Sequence, residues 1–97
     1  VIAKAPSEKT YTNVMLAQSA DLLLTLKGIE CSFAVGYLDK NRVGISARSL
    51  GNMNVQLVME ELGGGGHLAN AATQIEGVDI DTAVSRLNDA IDHVLLQ

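Results

Sequence analysis

One stretch of the chain alternates hydrophobic and polar positions with a period of two. Residues 31–38 and 42–49 place apolar residues at every second position, as in strands that turn one face to a core. Turn-forming residues occupy positions 39–41 between them, which predicts a β-hairpin. On the second strand the alternation assigns one face to Val43, Ile45 and Ala47 and the other to Gly44, Ser46 and Arg48.

Three further segments carry the period of 3.6 residues that is typical of amphipathic helices. Thr12 or Asn13 can cap the first helix, over residues 12–27, while Asn54 can cap the second and Asp79 the third. The predicted apolar faces are Met15, Ser19, Leu22, Leu23 and Leu26 in the first; Val55, Val58, Met59 and Leu62 in the second; and Ile80, Ala83, Val84, Leu87, Ile91, Val94 and Leu95 in the third.

The remaining segments complete an α/β pattern. Residues 1–5 form a short apolar run that Pro6 ends, as expected of a strand, and residues 69–76 are strand-like in their second half. The predicted order is β-α-β-β-α-β-α in one domain over residues 1–97. We therefore expect an α/β fold with a mixed sheet of about four to five strands flanked by helices.

Composition narrows the classes of function. The 97 residues are 47% hydrophobic and carry a formal net charge of −4, which excludes disorder and argues against a basic surface for nucleic acid. Aromatic residues make up only 3%, too few for a base-stacking platform. Cys31 is the single cysteine, so no disulfide framework can form. Because the chain starts with Val1, we expect it to be a fragment of a longer protein.

Four consecutive glycines, Gly63 to Gly66, are the least ordinary feature of the sequence. Such a run can end a helix, connect two elements flexibly, or expose backbone N–H groups to an anion such as phosphate. We favour the phosphate or nucleotide cradle, although the run lacks the lysine and spacing of a Walker loop. His67 follows directly and can donate a hydrogen bond to phosphate or base, or simply cap a surface turn.

Ser46 and Arg48 lie about 6.6 Å apart on one strand face. Arginine offers a planar fork for phosphate oxygens, serine a neutral donor and acceptor, and Gly44 on the same face would leave room for a ligand. The ordinary alternative is a polar strand face exposed to water. Asn70 could add an amide contact, as could Gln74.

Other chemistry-bearing residues have ordinary explanations. Asp79 and Asp81 look like a metal-binding pair but suit the cap and first turn of a helix better. We interpret His93 as a solvated helix residue, and Glu60 and Glu61 likewise. The sequence shows no histidine cluster with metal spacing and no defensible Ser-His-Asp arrangement, so it predicts a binding module without its own catalytic groups.

The same motifs resemble a known domain over nearly the whole chain. Residues 44–49 (Gly-Ile-Ser-Ala-Arg-Ser), 62–67 (Leu-Gly-Gly-Gly-Gly-His) and 71–72 (Ala-Ala) resemble, in this order, the DHHA1 domain of the DHH phosphoesterase superfamily. The longer string at residues 59–74 looks like one branch, the bacterial membrane-anchored cyclic-di-AMP phosphodiesterases.

The resemblance implies one lobe of a two-lobed hydrolase. A DHH domain, absent from this chain, would hold two Mn²⁺ ions and activate a water molecule, so this chain alone should be inactive. By position, Ser46, Arg48, Gly63, Gly64, Gly65, Gly66, His67 and Asn70 would bind the substrate, a cyclic dinucleotide or short oligonucleotide. The partners implied are that nucleotide, the DHH domain of the same chain and a second copy in a homodimer. The resemblance also implies a cytoplasmic domain of a protein anchored in the bacterial membrane.

Three alternatives share parts of this pattern. The first is the corresponding lobe of an oligoribonuclease or of a 3′-phosphoadenosine-phosphate phosphatase, which resembles the chain in the same motifs. The second is a non-enzymatic module that binds nucleotides or single-stranded nucleic acid, against which the acidic charge argues. The third is an editing or C-terminal domain of an alanyl-tRNA synthetase, which carries a related lobe.

Overall fold

The computed structural model describes residues 1–96, in the order β-α-β-β-α-β-β-α. The strands are β1 (Ile2–Lys4), β2 (Cys31–Asp39), β3 (Arg42–Ser49), β4 (Gly65–His67) and β5 (Asn70–Glu76). The helices are α1 (Asn13–Leu24), α2 (Val55–Glu61) and α3 (Ile80–Leu95). The predicted α/β fold with a mixed sheet of four to five strands flanked by helices is confirmed.

The five strands form one sheet in the order β1-β2-β3-β5-β4. The first pair is parallel and the other three are antiparallel, so the sheet is mixed. The hairpin predicted from the alternating segments is the β2–β3 pair. Strands β3 and β5 are neighbours although α2 and β4 lie between them in sequence, and this pairing brings distant motifs together.

Strand β4 was not expected. The sequence predicted a single strand after the glycine run, whereas Gly65–His67 pair with Asn70–Ala72 around a turn at residues 68–69. Two glycines and a histidine carry no alternation of hydrophobic and polar residues, so only the pairing partner reveals this strand. The glycine run is therefore partly an edge strand rather than a free loop.

Helices cover both faces of the sheet. On one face α2 and α3 pack against the apolar side of β2, β3 and β5, and this layer forms the main core. Its fully buried large side chains include Phe33, Val35, Val43, Ile45, Val55, Val58, Met59 and Leu87. On the other face α1 alone packs against β2 and β3, through a smaller cluster of Leu16, Ala20 and Ala34.

The apolar face predicted for α1 is wrong. The helix buries Leu16 and Ala20, whereas Met15, Leu22 and Leu26 of the predicted face are 46%, 70% and 55% exposed. Leucines and alanines occur nearly all round this helix, so the helical period of 3.6 residues is compatible with either of two apolar faces. The small side chain of Ala20 allows the close approach to the sheet that decides between them.

The three helices begin at the N-caps that the sequence predicts. Thr12, Asn54 and Asp79 each accept a hydrogen bond from a backbone N–H three residues later, as N-caps do. The stripe predicted for α3 is buried or half-buried along its length except at Leu95, which is 62% exposed. No helix within residues 1–96 is both long and apolar enough to cross a lipid bilayer.

Candidate functional site

Three of the predicted site residues lie side by side across neighbouring strands. Arg48 of β3 is paired with Asn70 of β5, and Asn70 is paired in turn with His67 of β4. Residues directly opposite each other in an antiparallel pair project to the same face, with Cβ atoms about 4.5–5.5 Å apart. The three side chains therefore form one row across the sheet, although up to 22 positions separate them in sequence.

A second row lies two residues further along each strand. Ser46 is paired with Ala72, and Ala72 with Gly65. Because side chains alternate between the two faces of a strand, this row lies on the same face as the first. We call these two rows the site face: Ser46, Arg48, Gly65, His67, Asn70 and Ala72. The structure thus brings together five of the predicted binding residues on one face.

Helix α1 covers only part of the site face. It packs on β2 and β3, where Ser46 is 4% exposed, while Asn70 and Ala72 on β5 and His67 on β4 are exposed. Helix α1 therefore lies beside an exposed surface formed by β4 and β5, which we call the floor of the site face. The polar side chains of Asn70 and His67 are therefore accessible on the part of the site face that α1 does not cover.

The space expected around Gly44 is absent. A Cβ at this position would lie 2.9 Å from carbon atoms of Leu16 and of Leu38, so these side chains fill the place that a ligand would need. Glycine is required here for packing of α1. The ordinary alternative for this strand, a polar face exposed to water, is also wrong because α1 buries it.

Arg48 is held at the edge of α1. Its Nε–H donates to Asp21 Oδ1 at 2.6 Å, and Nη1 donates to the carbonyl of Ala47 at 2.8 Å. The Arg48 side chain is 13% exposed and that of Asp21 is 62% exposed. Sequence reasoning missed Asp21, because 27 positions separate the two residues and only the packing of α1 brings them together.

Two of the four glycines serve the junction between α2 and the sheet. The N–H of Gly63 donates to Glu60 at 3.1 Å and that of Gly64 donates to Met59 at 2.8 Å, and both bonds close the end of α2. Gly63 has a φ of +85°, which favours glycine. A cradle made from all four backbone N–H groups, as predicted, is therefore wrong, because these two groups already have acceptors.

The other two glycines differ from each other. Gly66 has a φ of +143°, and a Cβ there would lie 2.5 Å from Ala71 Cα, so the close approach of β4 to β5 requires glycine. At Gly65 a Cβ would meet no atom within 4 Å, and its φ is not positive. Gly65 alone in the run has no structural requirement within residues 1–96, and it lies on the site face.

Two carboxylates outside the site face, those of Asp79 and Asp39, have structural partners. Asp79 caps α3, and the side-chain and backbone hydrogen bonds from Thr82 hold the pKa of its carboxyl below the ordinary 3.8. Arg42 and the N–H of Asn41 likewise lower the pKa of Asp39.

Across residues 1–96, no three His, Cys, Asp or Glu side chains cluster in a way that could hold a metal ion. This part of the protein therefore does not fit the ligand set that Mn²⁺ would need.

His93 is more than a solvated helix residue. Its Nδ1 contacts Glu61 Oε1, which joins α3 to the last turn of α2. Both residues lie on the opposite side of the sheet from the site face, so neither is placed to contact a ligand there. The sequence could not reveal this pair, since it depends on how the two helices pack.

Known proteins match the chain over most of its length. The model of the DHHA1 domain matches residues 1–95. The cyclic-di-AMP phosphodiesterase GdpP of Bacillus subtilis is 52% identical over 93 residues, and PdeA of Listeria monocytogenes is 47% identical over 91. Each match covers 94% of this chain but only 14% of the relative. The bifunctional oligoribonuclease and PAP phosphatase NrnA of Thermus thermophilus is 33% identical over 75 residues, 75% of this chain and 23% of that protein.

Solved structures share the fold at lower identity. An exopolyphosphatase-related protein from Bacteroides fragilis has a TM-score of 0.78 at 22% identity, over 95% of this chain and 28% of that one. The C-Ala domain of alanyl-tRNA synthetase from Aquifex aeolicus has a TM-score of 0.69 at 17% identity, over 94% of this chain and 86% of that one. These likenesses concern the fold alone. Together with the matched family model, the site face and the fold identify the chain as a member of the DHHA1 domain family.

Proposed function

We propose that this chain is the nucleotide-binding domain of a DHH-family phosphodiesterase that hydrolyses cyclic-di-AMP to the linear dinucleotide. The observation that carries the proposal is the row Arg48, Asn70 and His67 beside the unobstructed Gly65. This row occurs in a chain 52% and 47% identical to two proteins named cyclic-di-AMP phosphodiesterases.

The groups of the site face suit a phosphate-bearing ligand. The Arg48 guanidinium donates charge-assisted hydrogen bonds to phosphate oxygens, and the Asn70 amide and the His67 imidazole can each donate and accept. Gly65 and Ala72 have little or no side chain, so a sugar or base can approach the backbone of the floor closely. Binding and orientation of the nucleotide are the tasks that these residues can perform.

Hydrolysis itself belongs, in this proposal, to a DHH domain of the full-length protein. That domain would hold two Mn²⁺ ions, whose chemistry is to activate a water molecule. We propose this domain as the principal partner of the chain and a homodimer as its assembly. From the resemblance to the membrane-anchored branch we also propose that the full-length protein is anchored in the bacterial membrane and that this domain lies in the cytoplasm.

A second candidate function is that of an oligoribonuclease and 3′-phosphoadenosine-phosphate phosphatase. The match to NrnA favours it, at 33% identity over 75 residues. Its substrates share phosphate with cyclic-di-AMP, and Arg48, Asn70 and His67 would serve either class. The two candidates therefore have to be separated by substrate preference rather than by the site face.

Steady-state kinetics of the full-length protein with Mn²⁺ tests both candidates. The substrates are cyclic-di-AMP, a short oligoribonucleotide and 3′-phosphoadenosine 5′-phosphate. Preference for cyclic-di-AMP supports the proposal, and preference for either other substrate supports the second candidate. Nucleic-acid binding without hydrolysis would contradict both and favour the non-enzymatic module.

Substitutions on the site face test whether its residues take part in this activity. Arg48→Ala and His67→Ala should each lower kcat/KM by about 10- to 100-fold, the range expected when a hydrogen bond to a charged group is lost. Arg86→Ala is a matched control, because Arg86 is an exposed residue of α3 on the other side of the sheet. Equal kinetics of Arg48→Ala, His67→Ala and this control would contradict a role for the site face.

A further inference from the structure

The row that carries Arg48, Asn70 and His67 continues beneath α1. Ser32 of β2 is paired with Arg48, so it lies on the same face. The Ser32 side chain is fully buried, and its Oγ donates to the carbonyl of Ala20 at 2.7 Å. Ala20 is itself fully buried against the sheet. One row of the sheet thus fixes the backbone of α1 immediately before Asp21.

Asp21 in turn holds Arg48. Its Oδ1 accepts from Arg48 Nε at 2.6 Å, while the carbonyl of Ala47 accepts from Nη1 at 2.8 Å. These two acceptors hold the guanidinium on two sides. The Nη2 group donates to no acceptor within residues 1–96, so the terminal end of the guanidinium remains for a ligand.

The asymmetry of exposure indicates which partner positions the other. Arg48 is 13% exposed and has a long side chain with many rotamers, whereas Asp21 is short, 62% exposed and attached to a fixed turn of helix. An exposed carboxylate needs no partner because water solvates it, but a largely buried guanidinium does need one. A guanidinium held in advance loses less conformational entropy when it binds an anion.

We propose that Asp21 is a positioning residue, which fixes the Arg48 guanidinium so that its terminal N–H groups bind a phosphate of the nucleotide. This inference rests on the proposed function of the site face. Asp21 itself does not contact the ligand. Ser32 supports the arrangement by fixing the backbone of α1. Asp21 is the residue to test, because it bonds the Arg48 guanidinium directly.

A double-mutant cycle in the full-length protein, with cyclic-di-AMP and Mn²⁺, tests the inference. Asp21→Asn preserves the acceptor oxygen and the size of the side chain but removes the charge. It should raise KM by about 2- to 30-fold with little change in kcat, the size expected for a residue that acts through another. Asp21→Glu should recover part of this loss. Asp89→Asn, an exposed carboxylate of α3, is the matched control and should leave KM unchanged.

The cycle separates this inference from the proposed function. In an Arg48→Ala background, Asp21→Asn should have no further effect on KM, since the group it positions is gone. Three outcomes would overturn the positioning role: additive effects of the two substitutions, an unchanged KM in the Asp21→Asn single variant, or a lower KM in that variant. A lower KM would mean that Asp21 competes with phosphate for the Arg48 guanidinium. By contrast, an unchanged kcat/KM in Arg48→Ala alone would contradict the proposed site face itself. Melting temperatures of all variants distinguish these effects from loss of folding.

Discussion

The carbonyl oxygen of Ala72 occupies the place where a side chain at Gly64 would begin. A Cβ on Gly64 would lie 2.2 Å from that oxygen and 2.5 Å from the Cβ of Thr73. At the same point the Thr73 hydroxyl donates to the carbonyl of Leu62, at 3.0 Å. The end of α2 is thus attached directly to the middle of β5, and the glycine run makes this contact possible.

Gly64→Ala should destabilise the domain by about 1–3 kcal/mol, the usual cost of forcing extra atoms into a packed site. Chemical denaturation of the chain measures the change. The matched control is Gly65→Ala, because a Cβ at Gly65 meets no atom within 4 Å and its φ is not positive. Equal stability of the two variants would contradict the close contact between Gly64 and β5.

Gly65→Ala should instead affect ligand binding. Its new methyl group would project from the floor of the site face, where we propose that the nucleotide approaches the backbone. We expect cyclic-di-AMP to bind about tenfold more weakly to the full-length protein, since one extra methylene in a binding pocket is typically worth about 1–3 kcal/mol. Calorimetric titration with unchanged melting temperature would support this expectation. Normal affinity in a folded variant would show that no ligand lies over Gly65.

Acid should remove the stabilisation that Asp79 gives to α3. The pKa of Asp79 is lower in the folded protein than its ordinary 3.8, chiefly through the hydrogen bonds from Thr82. The stabilisation is therefore complete above pH 3.8 and is lost as the pH falls below this value through the lowered pKa. Melting temperatures measured across this range should fall less steeply for Asp79→Ser, which caps the helix without a charge.

Asp92→Ser provides the control for this pH dependence. Asp92 is an exposed residue of the same helix and caps no helix start. Its replacement should leave the slope of melting temperature against pH close to that of the wild type. If Asp79→Ser and Asp92→Ser have the same slope, the cap does not contribute to acid unfolding.

The chain by itself should not hydrolyse cyclic-di-AMP, even with added Mn²⁺. Residues 1–96 contain no cluster of side chains that could hold a metal ion. Chromatography of the products from the purified 97-residue chain checks this expectation, with the full-length protein as the positive control. Turnover by the isolated chain would contradict the assignment of hydrolysis to a separate domain.

Local patterns were sufficient for most of the elements. The alternation in residues 42–49 predicts β3 with the bounds that the structure shows, and the caps at Asn54 and Asp79 mark where α2 and α3 begin. These signals are reliable because strand alternation and helix capping depend on residues only a few positions apart. The shared face of Ser46 and Arg48 follows from the same alternation.

The sequence by itself thus determined every element except β4, together with the caps and the types of group that could bind phosphate. Only the tertiary structure decided that α1 buries Leu16 and Ala20, that Gly64 packs on β5 and that Asp21 holds Arg48. It also decided which residues share a row, because the β3–β5 register joins Arg48 to Asn70. Each of these depends on contacts between segments far apart in sequence, and such contacts are selected by packing of the whole core rather than by any local preference.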